Sequence, residues 1–574
     1  MEYKWIIREK ADPKAVESLG KEINLNQTLA NMLVNRGVDT FQKAKDFFRP
    51  DPDKLHDPYL MKDMDKAVER LALAIHKEEK ILVYGDYDVD GTTSVAMFYG
   101  FLKQFYSHVS FYIPDRYKEG YGISEKGVRF AAENNFSLVV SLDCGIKAIE
   151  KVALAKELGV DFIICDHHTP GDILPPAVAI LDPKRNDCEY PYKELSGCGV
   201  GFKLVQAFSA YRNDDPAKVM AYLDLLAVSI AADIVPITGE NRILTYYGIE
   251  KINNNPRPGL KALILRSKIE KEIEISDIVF KIGPRINASG RLEHAKASVE
   301  LLISDDLEDA LARAEIVDTV NAARKNFDEN ITKEALSMIQ GMEEISHRKT
   351  TVLFKEDWHK GVIGIVASRC IEKYYRPTII LTESNNKATG SARSVFDFDI
   401  YEAISECSDL LEQFGGHKYA AGLTLSVGNV PAFQDKFEAV VSARINEIHM
   451  KPVLEVDDEI LLDQINYRFF NILKQMAPFG PGNPEPIFCV NQVYAEDVRV
   501  LKDKHLRFNV VQDGQETKPV CIAFGMADKT IYPDEIIYKM LNRKMRFDLA
   551  FEIRENTFRN NSSLQLYVKD IKFD

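Results

Sequence analysis

Short, almost wholly apolar runs at 81–84, 138–142 and 161–165 are separated by amphipathic stretches of helical period. That alternation predicts parallel strands joined by helical crossovers, an α/β domain over about 66–303. Residues 1–65 read as a polar, helical N-terminal extension that closes on Arg49-Pro50-Asp51-Pro52, a turn or linker. From Ser304 to about Gln340 there is no Pro or Gly, and Leu307, Leu311, Ala314, Val317 and Val320 recur at helical spacing. This predicts a connecting helix over 304–345 that starts at Ser304, Asp305 and Asp306. A second α/β block follows over 346–450, with strands at 351–354 and 378–381. Pro478-Phe-Gly-Pro-Gly-Asn-Pro484 is a rigid, turn-rich stretch. Beyond it, 506–511 and 547–553 alternate in the manner of an all-β barrel or small sandwich, within a domain over 451–574.

The ends of the apolar runs carry the chemistry. The first run opens into Asp86-Tyr-Asp88-Val-Asp90-Gly91, the second into Asp143-Cys144-Gly145, and the third into Asp166-His167-His168. In open α/β sheets, ligands bind at the carboxyl ends of the strands. The triple-Asp string also matches half of an EF-hand loop. That loop needs a bidentate Glu at its twelfth position, where Met97 stands, and the residues before it read as a strand. A polar turn explains one carboxylate but not three, since packed like charges cost stability unless a cation offsets them. Carboxylates at strand ends beside a histidine pair suit two divalent cations attacking a phosphoester. Asp233, after the apolar stretch from Leu223, is either a buried ligand or a helix-end residue.

At 574 residues, 45% hydrophobic and 28% charged, the chain has an ordinary globular composition. Its length implies three or four domains at about 150 residues each. The eight cysteines show neither C-x-x-C pairing nor zinc spacing, which suits a reducing compartment. There is no signal-peptide core, and no apolar run approaches the ~20 residues of a membrane span, so a cytoplasmic protein without a membrane partner is expected. The net charge of −14 speaks against nucleic acid only weakly, because a carboxylate metal site contributes acids that bound cations neutralise. Basic groups remain at Lys387 with Arg393, at 502–507, and at Arg543-Lys-Met-Arg546.

Together, Asp86-Tyr-Asp-Val-Asp-Gly, Asp143-Cys-Gly, Asp166-His-His and Ala232-Asp233 stand in the order of the DHH phosphoesterase superfamily, which the chain resembles over essentially its whole length. Gly283-Pro-Arg-Ile-Asn-Ala-Ser-Gly-Arg291 extends the match, and Gly415-Gly-His-Lys-Tyr-Ala-Ala-Gly422 resembles the accessory DHHA1-type domain. The N-terminal extension and C-terminal β domain make it most similar to the branch of bacterial single-strand-specific 5′→3′ DNA exonucleases. That resemblance implies a parallel-sheet DHH domain, a long connecting helix, a DHHA1-type substrate-binding domain and an OB-like nucleic-acid-binding domain.

It further implies two metal ions, Mn²⁺ or Mg²⁺, held by Asp88, Asp90, Asp143, His167 and Asp233, with Asp86 also in the metal-binding set. Imidazole tilts the choice toward Mn²⁺. By the same resemblance His168 faces phosphate, and Asp166 orients a ligand from behind. Arg285, Asn287, Ser289 and Arg291 form a phosphate cradle with Gly290 allowing close approach; a structural turn with one ion pair is the competing reading. Ser391, Arg393 and His417 belong to the substrate-gripping set, the first two holding a 5′-terminal phosphate, with Arg116 a weaker candidate. Single-stranded DNA is the implied substrate, with single-strand-binding protein and a RecQ-type helicase as candidate partners. Rival readings are a nano-RNA or cyclic-dinucleotide phosphodiesterase, a pyrophosphatase, or a non-catalytic replication scaffold. The residues beyond Pro484 and before the first strand favour a long polymer.

Overall fold

The computed structural model describes residues 3–341, 348–527, 539–540, 545–558 and 561–573. The chain divides into two compact units. One comprises Arg49–Lys325 with Pro478–Pro484; the other takes the N-terminal segment to Phe48, Asn326–Ala477 and the segment from Glu485 onward. The predicted turn-rich stretch 478–484 thus belongs to the first unit. There the Ile237 N–H donates to the Pro481 carbonyl at 2.7 Å. The division between units falls inside the helix Leu307–Gly341. At about 1.5 Å per residue its 35 residues span about 52 Å. It starts a few residues later than the sequence predicts, because Asp306 is the residue that caps it, accepting from the Asp309 N–H at 2.9 Å.

The first unit is built on a five-stranded, all-parallel sheet of order β3-β2-β4-β5-β6. Its strands are β2 (Lys80–Gly85), β3 (Val109–Tyr112), β4 (Phe136–Leu142), β5 (Asp161–Cys165) and β6 (Ala179–Leu181). The apolar runs are continuous because both faces are buried. In β2, Ile81 and Val83 pack into one core layer while Leu82 and Tyr84 pack into the opposite one, as a period of two requires. Register then decides the rest. Gly85 pairs with Leu142, Leu142 with Cys165, and Cys165 with Leu181. The next residue in each strand is therefore at the same level, and in all four it is aspartate: Asp86, Asp143, Asp166 and Asp182.

The helix Gly197–Tyr211 lies in the same core, anchored by a fully buried ion pair. Lys203 Nζ is 2.6 Å from Glu240 Oε1, and Glu240 also accepts from the Tyr190 hydroxyl at 2.6 Å and the His56 N–H at 3.0 Å.

The second unit holds a five-stranded sheet of order β10-β11-β9-β8-β7. Here β7 is Thr351–Phe354, β8 Thr378–Ser384, β9 Lys387–Arg393, β10 Gln413–His417 and β11 Ala420–Ser426. The helix Ile363–Lys373 covers one face; Ile400–Ser405 and Val430–Arg444 cover the other. The C-terminal strands β13 (Asp458–Glu459), β14 (Phe488–Leu501), β15 (His505–Gln512), β16 (Val520–Ala523), β17 (Phe547–Phe558) and β18 (Asn561–Phe573) form one sheet, which β14 closes by also pairing with β17. The result is the OB-like barrel the pattern suggested.

The N-terminal extension requires a correction. Its helices Pro13–Glu22, Gln27–Asn35 and Phe41–Phe48 are present, but Lys4–Ile7 is a strand, β1, parallel to β12 (Val453–Val456). Its partner lies some 450 residues away, so nothing local marks it.

Replacing Lys203 by Met would leave Glu240 buried without its cation and is expected to cost about 3–5 kcal/mol in urea unfolding. The double change Lys203→Met with Glu240→Gln should recover most of that loss; an undiminished loss would mean the pair does not anchor this helix.

Candidate metal centre

The loop after β2 is shaped for ligands by its backbone. Asp88 caps the helix Val89–Lys103, accepting from the Gly91 N–H at 2.9 Å. A Cβ at Gly91 would lie 2.4 Å from the Asp86 carbonyl oxygen, so the motif ends in the residue that lets the turn close. Asp90 is held by the unit's interior: Gly197 N–H at 2.6 Å, Cys198 N–H at 2.8 Å and Ser229 Oγ at 2.7 Å all donate to it. Its carboxylate thus sits on the positive N-terminus of the Gly197–Tyr211 helix. Asp143 has a left-handed backbone, φ 60°. A Cβ at Gly197 would come within 2.6 Å of its Oδ1.

His167 Nε2 faces Asp143 Oδ1 at 3.2 Å, Asp233 Oδ2 at 3.5 Å and Asp90 Oδ2 at 3.9 Å. Burial holds its pKa below the ordinary value, so the ring is neutral, the form that binds metal. Asp233 resolves the alternative left open by the sequence: it caps the C-terminus of the helix Leu223–Ala232 and also faces the site. Burial, with the charges of Asp90 and Asp88, pushes its carboxyl up to about 8. Asp86 and Asp143 are also raised, by burial first and then by the charges of Asp88 and Asp90 respectively. Both carboxylate oxygens of Asp86 are buried without a hydrogen-bond donor, and so are both ring nitrogens of His167.

Asp166 behaves differently. It accepts from the Ile146 N–H at 2.9 Å, the His167 N–H at 2.8 Å and the His168 N–H at 3.2 Å, and its Oδ1 lies 2.7 Å from His168 Nδ1. Although burial works the other way, the His168 contact and these donors hold it down to about 2. Against its own burial, His168 is raised by Asp166 to about 9. His168 is therefore an imidazolium, half-exposed, its Nε2 3.1 Å from the Tyr121 hydroxyl. Asp182, which the sequence reading missed, is fully buried with one oxygen unpartnered; its signal was the apolar run Ala179–Leu181 ending in an acid.

The donor atoms of Asp86, Asp88 and Asp143 lie within 4.8 Å of one another, and so do those of Asp90, His167 and Asp233; Asp143 and His167 group again with His168. Donor-free buried carboxylate oxygens and imidazole nitrogens are what divalent cations satisfy, and this oxygen-rich set with one imidazole fits Mn²⁺ or Mg²⁺.

The other expected residues separate. In the helix Gly283–Leu292, Arg285 is pinned by Asp318 at 2.8 Å and donates to the Lys281 carbonyl at 2.7 Å, and Ser289 is buried. Gly290 makes room for protein: a Cβ there would meet the Tyr87 carbonyl oxygen at 2.6 Å. The segment is a helix rather than a turn, and of the cradle set Asn287 and Arg291 stay half-exposed. The Arg116 guanidinium stacks 4.9 Å over the Tyr87 ring, in the metal loop.

In the second unit, Ser391 pairs across β9–β11 with Gly422, and Arg393 with Ala420; β10 then brings Gly415 and His417 opposite the same two residues. Directly opposed residues share a face, so the Ser391, Arg393 and His417 side chains line one surface. Arg393 Nη1 lies 3.0 Å from Ser391 Oγ. A Cβ at Gly364, in the first turn of the helix Ile363–Lys373, would meet both side chains at 2.9 Å. Of the basic groups, Lys387 pairs with Glu412 and Arg546 with Asp513, while Arg543 and Lys544 lie outside the described residues.

A parallel sheet with two carboxylate-rich ligand groups at its carboxyl edge defines a metal-dependent phosphoesterase of the DHH class. Residues 80–230 match the DHH family, N-terminal domain; 347–443 match the DHHA1 domain; and 456–570 match the RecJ OB domain. The chain is 36% identical over 574 residues to the single-stranded-DNA-specific exonuclease RecJ of Bacillus subtilis (strain 168), covering 99% of this chain and 70% of that protein. Its structure is similar to RecJ of Thermus thermophilus in complex with Mn²⁺, with TM-score 0.84 and 27% identity over 99% of this chain and 79% of that one. The Mg²⁺ complex of the same protein gives TM-score 0.78 at 26% identity, over 99% and 78% of the two chains. The chain belongs to the RecJ family.

Asp86, Asp143 and Asp233 all bind protons more tightly folded than unfolded. The metal-free folded state then holds more protons than the unfolded chain, so stability should fall as pH rises from about 4 towards about 8. Stabilisation by Mn²⁺ should grow over the same range, since ligands must lose protons to bind. Melting temperatures taken with EDTA and with Mn²⁺ at several pH values test this; a metal-free melting temperature that climbs through the window would contradict it.

Proposed function

We propose that this protein is a two-metal-ion 5′→3′ exonuclease that degrades single-stranded DNA to mononucleotides, acting in DNA repair and recombination. The observation that carries the reading is the pair of ligand groups, Asp86–Asp88–Asp143 and Asp90–His167–Asp233, at one sheet edge. Cations bound there supply a nucleophilic water at neutral pH and charge to offset that developing on the phosphoryl oxygens. Asp90 and Asp143 act as ligands on a preorganised backbone, and neutral His167 supplies the one imidazole. His168, kept cationic by Asp166, presents positive charge to the attacked phosphate and stabilises the transition state.

Asn287, Arg291 and Arg116 bind backbone phosphates, while Arg285 and Ser289 hold their helix in place. In the second unit, Ser391 and Arg393 bind the 5′-terminal phosphate at the positive end of the helix Ile363–Lys373, where Gly364 leaves the room, and His417 completes that surface. The OB-like barrel adds a binding surface for the strand. Partners that supply or hold the strand are a single-strand-binding protein and a RecQ-type helicase, and the setting is the cytoplasm, where eight free, buried thiols stay reduced.

With Mn²⁺, a 3′-labelled single strand should shorten stepwise from its 5′ end while blunt duplex, a dinucleotide and pyrophosphate stay largely intact. Faster turnover of the dinucleotide than of the long strand would replace this reading by a small-substrate phosphodiesterase. Asp233→Ala should lower hydrolysis by at least about a hundredfold and leave strand binding measurable. Arg393→Ala should raise KM for 5′-phosphorylated strands while hardly changing KM for 5′-hydroxyl strands; an equal loss on both ends would remove the terminal-phosphate role.

A further inference from the structure

At 76% exposure, Phe280 is the most exposed of the large apolar side chains among the described residues. It sits in a π-helical turn, Ile278–Ile282, in which the Gly283 N–H reaches back to the Ile278 carbonyl. Such turns are rare overall and frequent at functional sites. The turn is held rigidly from both sides: Lys281 pairs with Asp277 at 2.8 Å, and Arg285 donates to the Lys281 carbonyl at 2.7 Å.

Its position is beside the metal centre. A Cβ at Gly283, where the turn ends, would lie 3.7 Å from the Ala232 Cβ and 3.9 Å from Val89 Cγ2. Ala232 precedes the ligand Asp233, and Val89 lies between Asp88 and Asp90. Across that contact, Ile234 is 64% exposed with a left-handed backbone, φ 60°. For a β-branched residue that conformation is a genuine outlier, and outliers of this kind cluster at ligand clamps. Two exposed apolar side chains, one on a strained backbone and one on a bulged helix, thus belong to segments that flank the ligands Asp88, Asp90 and Asp233 in the chain or pack against their neighbours. The phosphate chemistry uses neither.

We propose that Phe280, with Ile234 across the Ala232–Gly283 contact, is a stacking shelf for one base of the single strand as its phosphate enters the metal centre. Every base has a π-face, so such a shelf grips any sequence and requires an unpaired base, which a duplex does not offer. The inference rests on the single-stranded-DNA reading above.

The test scans a single abasic nucleotide along the 5′ end of a strand and measures binding to the full-length protein. One position should weaken binding to the wild type by about tenfold, within the roughly 5- to 150-fold range of base–aromatic stacking. Phe280→Ala should show that same loss on the intact strand, with no further loss at the abasic position, and Phe280→Trp should restore it. Mn²⁺ binding, read by electron paramagnetic resonance, should be equal in all three proteins. The shelf is refuted if no abasic position matters in the wild type, if the abasic penalty persists in Phe280→Ala, or if that variant changes only oligomeric state, which would make Phe280 a protein contact. A wild type that leaves single strands intact overturns the functional reading instead; a wild type and Phe280→Ala that bind alike overturn the shelf alone.

Discussion

Four parallel strands end in register, and the residue after each end is aspartate. Neighbouring strands are about 4.8 Å apart. At that spacing, and with an effective dielectric near 20, each adjacent pair of charges would repel by about 3 kcal/mol. The fold relieves this repulsion at some of these acids and not at others. Asp166 is surrounded by backbone donors and paired with His168. Asp90, in the first turn of the helix that follows Asp86, rests on the N-terminus of another helix. At Asp86 and Asp143 burial and the neighbouring carboxylates outweigh whatever favours the charged form, and both remain raised in pKa. The unresolved repulsion is what makes the sheet edge a cation site, and folding pays for it with the buried contacts behind the strands.

The anchoring of Asp90 links that edge to the rest of the first unit. The helix whose N–H groups receive its carboxylate also carries Lys203, so a buried ion pair outside the ligand set fixes where a ligand can stand. The glycines in these motifs act through space as well. Gly91 lets the loop close on Asp86, and Gly290 lets a helix approach Tyr87. In the second unit the logic is inverted: small residues clear a sheet face, and Arg393 and Ser391 stand at a helix N-terminus, an arrangement that prefers anions.

Much of this was legible along the chain. The strands at 81–84, 138–142, 161–165, 351–354 and 378–381 are short apolar runs whose burial on both faces leaves a local signature, and each is present with its ends shifted by no more than a few residues. The long helix is equally plain. What escaped is non-local: β1 pairs with a strand near the other end of the chain, and Pro478–Pro484 returns to the first unit. Asp182 escaped because a three-residue strand has too little pattern to announce itself. The motif around Arg285 shows the opposite failure, for residue types suited to phosphate turned out to include one guanidinium already committed to Asp318.

The sequence by itself determined the α/β class, the carboxylate-rich strand ends and the histidine pair, because these depend on periodicity and residue type. Only the tertiary structure decided which acids keep oxygens open to a cation and which are occupied by hydrogen bonds. Asp86 and Asp166 are both buried acids at strand ends, yet the carboxylate oxygens of the first lack well-formed hydrogen bonds and its pKa is raised, while the second accepts several and its pKa is lowered. That difference lies in backbone N–H groups brought in by distant segments. It is a property of three-dimensional placement, which no local pattern encodes.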